Sequence, residues 1–118
     1  MCSRSEELLN LLLSRGATVD QKDVDGWTPL HYASLNGWEA GVALLLANGA
    51  NYDAQTKSQS FPLLFTVKNS HTAATKALLI SGADHQKTDE SKRSLLMWAA
   101  GTGNLEILQV YNYIYTMM

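Results

Sequence analysis

The stretch Asp23-Val24-Asp25-Gly26-Trp27-Thr28-Pro29-Leu30-His31-Tyr32-Ala33 places a turn, a helix cap and the start of a helix side by side. Asp23 to Gly26 has the composition of a tight turn, since Asp side chains bond their own backbone and Gly accepts left-handed φ. The Thr28 hydroxyl can accept from an orphan backbone N–H, and Pro29 suits the first helical position, where no N–H is needed. The spacing predicts a short helix from Leu30 to Asn36 that ends at Gly37. A second helix is predicted from Glu39 to Asn48, stopped by Gly49. Val42, Leu45 and Leu46 fall on one face of it.

Outward from this unit, its landmarks recur at one offset. Leu11 to Leu13 reappear as Leu44 to Leu46, and Gly16-Ala17 as Gly49-Ala50 and Gly82-Ala83, each step being 33 residues. Pro29-Leu30 recurs as Pro62-Leu63, and Leu30 maps onward to Leu96. Asn36 maps to Asn69, Ala33 to Ala99, Gly37 to Gly103 and Asp23 to Asp89. A fixed period of this length is the mark of a repeat architecture. Helices this short are marginal alone in water. Each unit has an apolar face that only a stacked neighbour can bury, so the array reads as a solenoid.

Composition agrees with a packed chain. Of 118 residues, 46% are hydrophobic and 17% charged, which opposes disorder. A net charge of -2 gives no steering toward nucleic acid or an anionic membrane. The single cysteine, Cys2, allows no intrachain disulfide. No apolar run approaches the roughly 20 residues of a membrane span, and no secretory signal opens the chain. The expected setting is soluble and intracellular, the cytoplasm first, with the nucleus also open.

The stretch Asp23 to Ala33, together with Leu44-Leu45-Leu46-Ala47-Asn48-Gly49-Ala50, closely resembles an ankyrin repeat. The resemblance implies an all-α solenoid of stacked helix-turn-helix units with short β-hairpin-like arms. It divides the chain into a partial unit at 1–22, a complete one at 23–55, a divergent one at 56–88 and an incomplete one at 89–118 with a divergent tail. In the third unit Phe61 and Leu64 replace the Thr and His of the motif, Gln59 the turn Gly and Ser70 the mid-unit Gly. In the fourth, Leu95 replaces Pro and Lys92 replaces Gly. Because non-Gly residues resist left-handed turns, these arms are expected to be looser or reshaped. Asn112 falls where the family buries a leucine and Tyr115 where it has glycine. Neither end carries a clear polar cap, which points to a fragment or truncated form of a longer ankyrin protein.

The family resemblance implies protein binding through a concave face of arm tips and first helices. Carried over position by position, the surface comprises Val24, Asp25, Trp27, Leu35 and Asn36 in the second unit. The third contributes Lys57, Ser58, Ser60, Lys68 and Asn69, and the fourth Glu90, Ser91 and Arg93. Trp27 is the plausible anchor, although packing on the neighbouring arm is the simpler account of it. Trp38 is read as structural, and Trp98 as core together with Tyr32 and Phe65, which share its place in the period. Lys57, Lys68 and Arg93 could form a basic strip for an acidic partner, but Asp25 and Glu90 nearby favour scattered solvated charge.

Chemistry beyond binding finds little support. His31 fits the repeat motif as a brace of its own turn. His71 and His85 show no metal-ligand spacing. Cys2 lies at the terminus, expected to fray, and no phosphate-cradling loop occurs. No enzyme activity, cofactor or metal is expected. The leading function is a protein–protein interaction module. One alternative is a regulatory or substrate-recruiting segment of a larger enzyme or ubiquitin-ligase adaptor. Another is self-association through uncapped ends, with Leu8, Leu9 and Leu12 open at one end and Ile107, Leu108 and Ile114 at the other.

Overall fold

A computed structural model describes residues 2–117, with the side chains of residues 2–4, 115 and 117 outside the description. The expectations for the Cys2 and Tyr115 side chains therefore fall outside the described residues. Seven helices are described: α1 (Cys2–Ser14), α2 (Pro29–Leu35), α3 (Glu39–Ala47), α4 (Pro62–Lys68), α5 (Thr72–Ser81), α6 (Leu95–Thr102) and α7 (Leu105–Met117). They form two rows. In the inner row α2 packs on α4 and α4 on α6; in the outer row α1 packs on α3, α3 on α5 and α5 on α7. Pairs α2·α3, α4·α5 and α6·α7 close the layers. No strand occurs among the described residues, and the arms touch β geometry only in an isolated bridge between Thr88 and Ser94. The fold is the all-α stack read from the period.

The layers repeat down to single hydrogen bonds. The backbone N–H groups of Asp23, Thr56 and Asp89 donate to the carbonyls of Trp27, Ser60 and Arg93 at 2.9, 2.8 and 2.9 Å. Between layers, the Asn51 N–H donates to Asp20 Oδ1 and the Asp84 N–H to Asp53 Oδ1, both at 2.9 Å. Each of these sets steps by 33 residues. The arms that lack glycine are not reshaped. Gln59 and Lys92 take φ of 64° and 68° and close the same turn as Gly26 at 79°. Left-handed backbone costs a non-Gly residue about 1 kcal/mol, and the side-chain oxygens of Thr56 and Asp89 bind these arms as Asp23 binds the first.

His31 ties two layers together. Thr28 and His31 form a reciprocal capping box at the start of α2. The Thr28 N–H donates to His31 Nδ1 at 2.9 Å, so that nitrogen carries no proton. Nε2 therefore carries it and donates to the Ala54 carbonyl of the next arm at 2.8 Å. Burial holds the ring below the usual histidine range, against the Ala54 carbonyl, which favours protonation. A base with a depressed folded pKa binds fewer protons folded than unfolded, so its contribution is complete above about 6.5. Stability should accordingly fall as the pH drops from about 6.5 toward 5. Urea unfolding across that range measures it, and His31→Gln should flatten the slope; an unchanged slope would assign the effect elsewhere.

Where the third unit has no such histidine, the brace changes chemistry. Phe61 fills the N-cap position as a fully buried plug beside Leu64. From the following arm the Lys87 ammonium lies over its ring and donates to the Asp53 carbonyl at 2.8 Å.

The ends correct two expectations. Ile107 is not open; it is sealed in the core, and Leu108 and Ile114 pack partly against it. The open face of the last layer belongs to α6, where Leu96 and Met97 are 56% and 60% exposed. Their counterparts Leu30, His31, Leu63 and Leu64 are buried, because a further layer covers them. At the other end Leu8 and Leu12 are exposed and Leu9 half-buried, as expected. The tail does not lose its structure after Leu108. The stop glycines Gly49 and Gly82 have no counterpart at 115, so α7 runs on to Met117, with Tyr111 buried and Asn112 exposed.

Candidate functional site

The arms and the inner row meet in a groove, and one part of it is well defined. Ser58, Ser60, Leu64, Lys68, Asp89, Glu90, Ser91 and Arg93 enclose a polar pocket of about 190 Å³. Six of the thirteen residues expected on the binding face thus come together here: Ser58, Ser60, Lys68, Glu90, Ser91 and Arg93. Loop 57–60 brings the serines, α4 brings Lys68, and the loop from Asp89 to Arg93 brings the rest.

Beside this pocket stands Trp98, which had been expected in the core. Its ring is half-buried at the groove wall, with Lys68 Nζ 4.9 Å and the Arg93 guanidinium 4.8 Å from its centre. Each such contact contributes about 0.5–1 kcal/mol at an exposed site. Its indole N–H donates to Asp89 Oδ2 at 3.0 Å, and Arg93 Nε donates to the same oxygen at 2.9 Å. Asp89 Oδ1 accepts the N–H groups of Ser91 and Arg93 at 2.9 and 2.8 Å. Desolvation opposes the Asp89 carboxylate, yet the donors from Arg93, Trp98 and Ser91 together hold it down to about 2. Asp89 is thus fully engaged, while Lys68 has no ion pair among the described residues.

The second unit has a matching cluster that ends differently. Tyr32 donates its hydroxyl to Asp23, as Trp98 donates to Asp89, both nine residues on. That bond comes first among the causes that lower the Asp23 carboxyl and raise the Tyr32 hydroxyl. The middle unit has Phe65 at this place and Thr56 instead of the Asp. Without a polar handle Phe65 is buried, whereas Tyr32 is 48% exposed and not core as expected. An Asp followed nine residues later by Tyr or Trp was the signal present in the sequence for this tie.

The other expected residues lie apart from the pocket. Val24 and Asp25 are exposed on the tip of the second unit's arm. Trp27 is not an exposed anchor: its ring stacks on Phe65 at 4.8 Å and 27°, and meets Tyr32 at 4.9 Å. Leu35 and Asn36 are exposed at the end of α2, and Asn69 at the end of α4. The Asn36 and Asn69 amides donate to the carbonyls of Tyr32 and Phe65 at 2.8 and 2.9 Å, so they terminate their helices. Lys57 is exposed, its N–H donating to the Asp25 carbonyl. The basic strip is therefore two cations on Trp98, with Lys57 separate. Trp38 packs on its own helix, close enough that a Cβ on Gly41 would lie 2.2 Å from its ring. Among the described residues no three His, Cys, Asp or Glu side chains gather as metal ligands would. No described helix is long and apolar enough to cross a membrane.

Stacked helix pairs with projecting arms, repeating every 33 residues, define a helical repeat protein whose exposed chemistry lies along the groove. Residues 1–56 match the family model described as ankyrin repeats (3 copies). Helices α4 to α7 continue the same layers, and the chain is an ankyrin-repeat protein. No curated protein matches it. Ankyrin repeats generally mediate protein–protein interaction, and repeat domains of this kind are typically non-catalytic.

Proposed function

We infer that the chain, divided at 1–22, 23–55, 56–88 and 89–118, is a non-enzymatic module that binds a partner protein through the groove between its arms and inner helices. Its setting in this account is the cytoplasm. The observation that carries it is the pocket around Lys68, Ser60, Ser91 and Arg93, rigidly built and left polar. Four bonds to Asp89 fix the loop from Asp89 to Arg93, and Trp98 positions both cations, so little side-chain freedom is lost on binding. The serines and the Lys68 ammonium offer donors to a partner's carbonyl or carboxylate groups, while Glu90 selects against a purely acidic segment.

Lys68→Ala tests this. It removes an exposed charge with little effect on folding. Affinity for a captured partner, measured by titration calorimetry, should drop about tenfold, a difference of about 1.4 kcal/mol. Lys76→Ala, on the outer row, should leave affinity unchanged. Equal loss from both, or from neither, would refute the assigned surface. Trp27→Ala is a poor probe, since it would also remove the stack on Phe65.

A further inference from the structure

One layer lacks a helix that the other three have. Layers α2·α3, α4·α5 and α6·α7 each hold an inner and an outer helix, whereas α1 stands without an inner companion among the described residues. Comparison at equal repeat positions shows what is uncovered. Leu45 and Leu78 are sealed in their layers, as are Ala50 and Ala83 just beyond. One period earlier, Leu12 is 49% exposed, Ala17 is exposed, and Leu8 is 58% exposed. The neighbouring layer gives the same result from the other side. Phe65 and Pro62, with α2 before them, are buried; Tyr32 and Pro29, with no inner helix before them, are exposed and half-buried. The uncovered surface is a slot one helix wide, walled by Leu8 and Leu12 of α1 and by Pro29 and Tyr32 of α2.

We propose that this slot receives a short amphipathic helix from another protein, seated as the missing member of the α2–α4–α6 row. Continuity with that row specifies the occupant. Its members are 7, 7 and 8 residues long. Each carries a leucine at the position of Leu30, and a small residue at that of Ala33, Thr66 and Ala99, where the inner helix meets its outer companion. The occupant is therefore a two-turn helix with a leucine, a small residue three positions later and no charge between them. Glu6 and Glu7 do not oppose it, because they line the opposite groove with Ala40 and Ala43. So short a helix is unstable alone and gains its structure on docking.

The test uses the whole chain and a labelled synthetic peptide of residues 26–37, which carries the first-helix pattern. Fluorescence anisotropy should show saturable binding, and methyl and aromatic NMR signals of Leu8, Leu12 and Tyr32 should shift. Leu12→Lys, at an exposed position that leaves the helical circular dichroism intact, should weaken binding about tenfold or more. Leu96→Lys at the far end should change it less than about twofold. The proposal is overturned if a scrambled peptide binds as well, if Leu12→Lys binds as tightly as the parent chain, or if no saturation is seen. It is equally overturned if sedimentation shows the chain pairing with itself through Leu12, since the slot then belongs to a second copy.

Discussion

Leu63→Ala should lower stability by about 3 kcal/mol, while Leu96→Ala, the same residue at the same place in the repeat, should change it by less than about 0.5 kcal/mol. Leu63 is completely buried between layers, joined to a core that includes Leu30, Val67, Leu78 and Leu95. Truncation removes buried methyl groups and leaves a cavity that the flanking helices can only partly close. Leu96 faces outward from α6 with no layer over it, so its side chain is already hydrated. A domain of this size has only about 5–15 kcal/mol in total, so the first loss is severe. Urea unfolding followed by circular dichroism measures both variants. Equal costs would mean that the last layer is covered or that the layers are not stacked in this order.

The second large effect is expected at Gly37. Its φ is +65°, and a Cβ there would lie 2.4 Å from the His71 ring, whose Nε2 meets the Leu35 carbonyl at 3.0 Å. Gly37→Ala combines a left-handed backbone cost of about 1 kcal/mol with overpacking of about 1–3 kcal/mol. Thermal or urea unfolding should show a total of about 2–4 kcal/mol. In a His71→Ala background the clash disappears, and the cost should shrink to about 1 kcal/mol. The next layer illustrates the logic: Ser70 holds φ of 58° at the equivalent place, and the residue in the position of His71 is the smaller Asn104. If Gly37→Ala costs the same with and without His71, the ring does not occupy this place.

The stack itself was legible because its determinants are local. Thr28-Pro29, Gly37, Gly49 and the leucine spacing specify helix starts, stops and faces within one unit, and the period then copies them. What escaped depended on neighbours. Nothing in the last unit's own residues says whether Ile107 or Leu96 faces the open end, because that follows from which side the preceding layer occupies. Tyr32, Phe65 and Trp98 share one position, but their burial differs with an Asp or Thr nine residues earlier. Gln59 and Lys92 were expected to loosen their arms; side-chain oxygens of Thr56 and Asp89 hold the same turn without glycine. On the candidate surface, Lys68, Ser58, Ser60, Glu90, Ser91 and Arg93 were gathered correctly. Trp98 was missed as the platform beside them, because its place in the period spoke only for packing.

The most direct measurement is a methyl NOE spectrum of the chain with labelled leucines. Stacking in register predicts cross-peaks from Leu30 methyls to protons of α4 and from Leu63 methyls to α6, with Leu96 methyls showing none to any later helix. Leu30 and Leu63 methyls without contacts to the following helix, or Leu96 methyls buried against one, would contradict the layered arrangement on which the groove, the slot and both stability predictions depend.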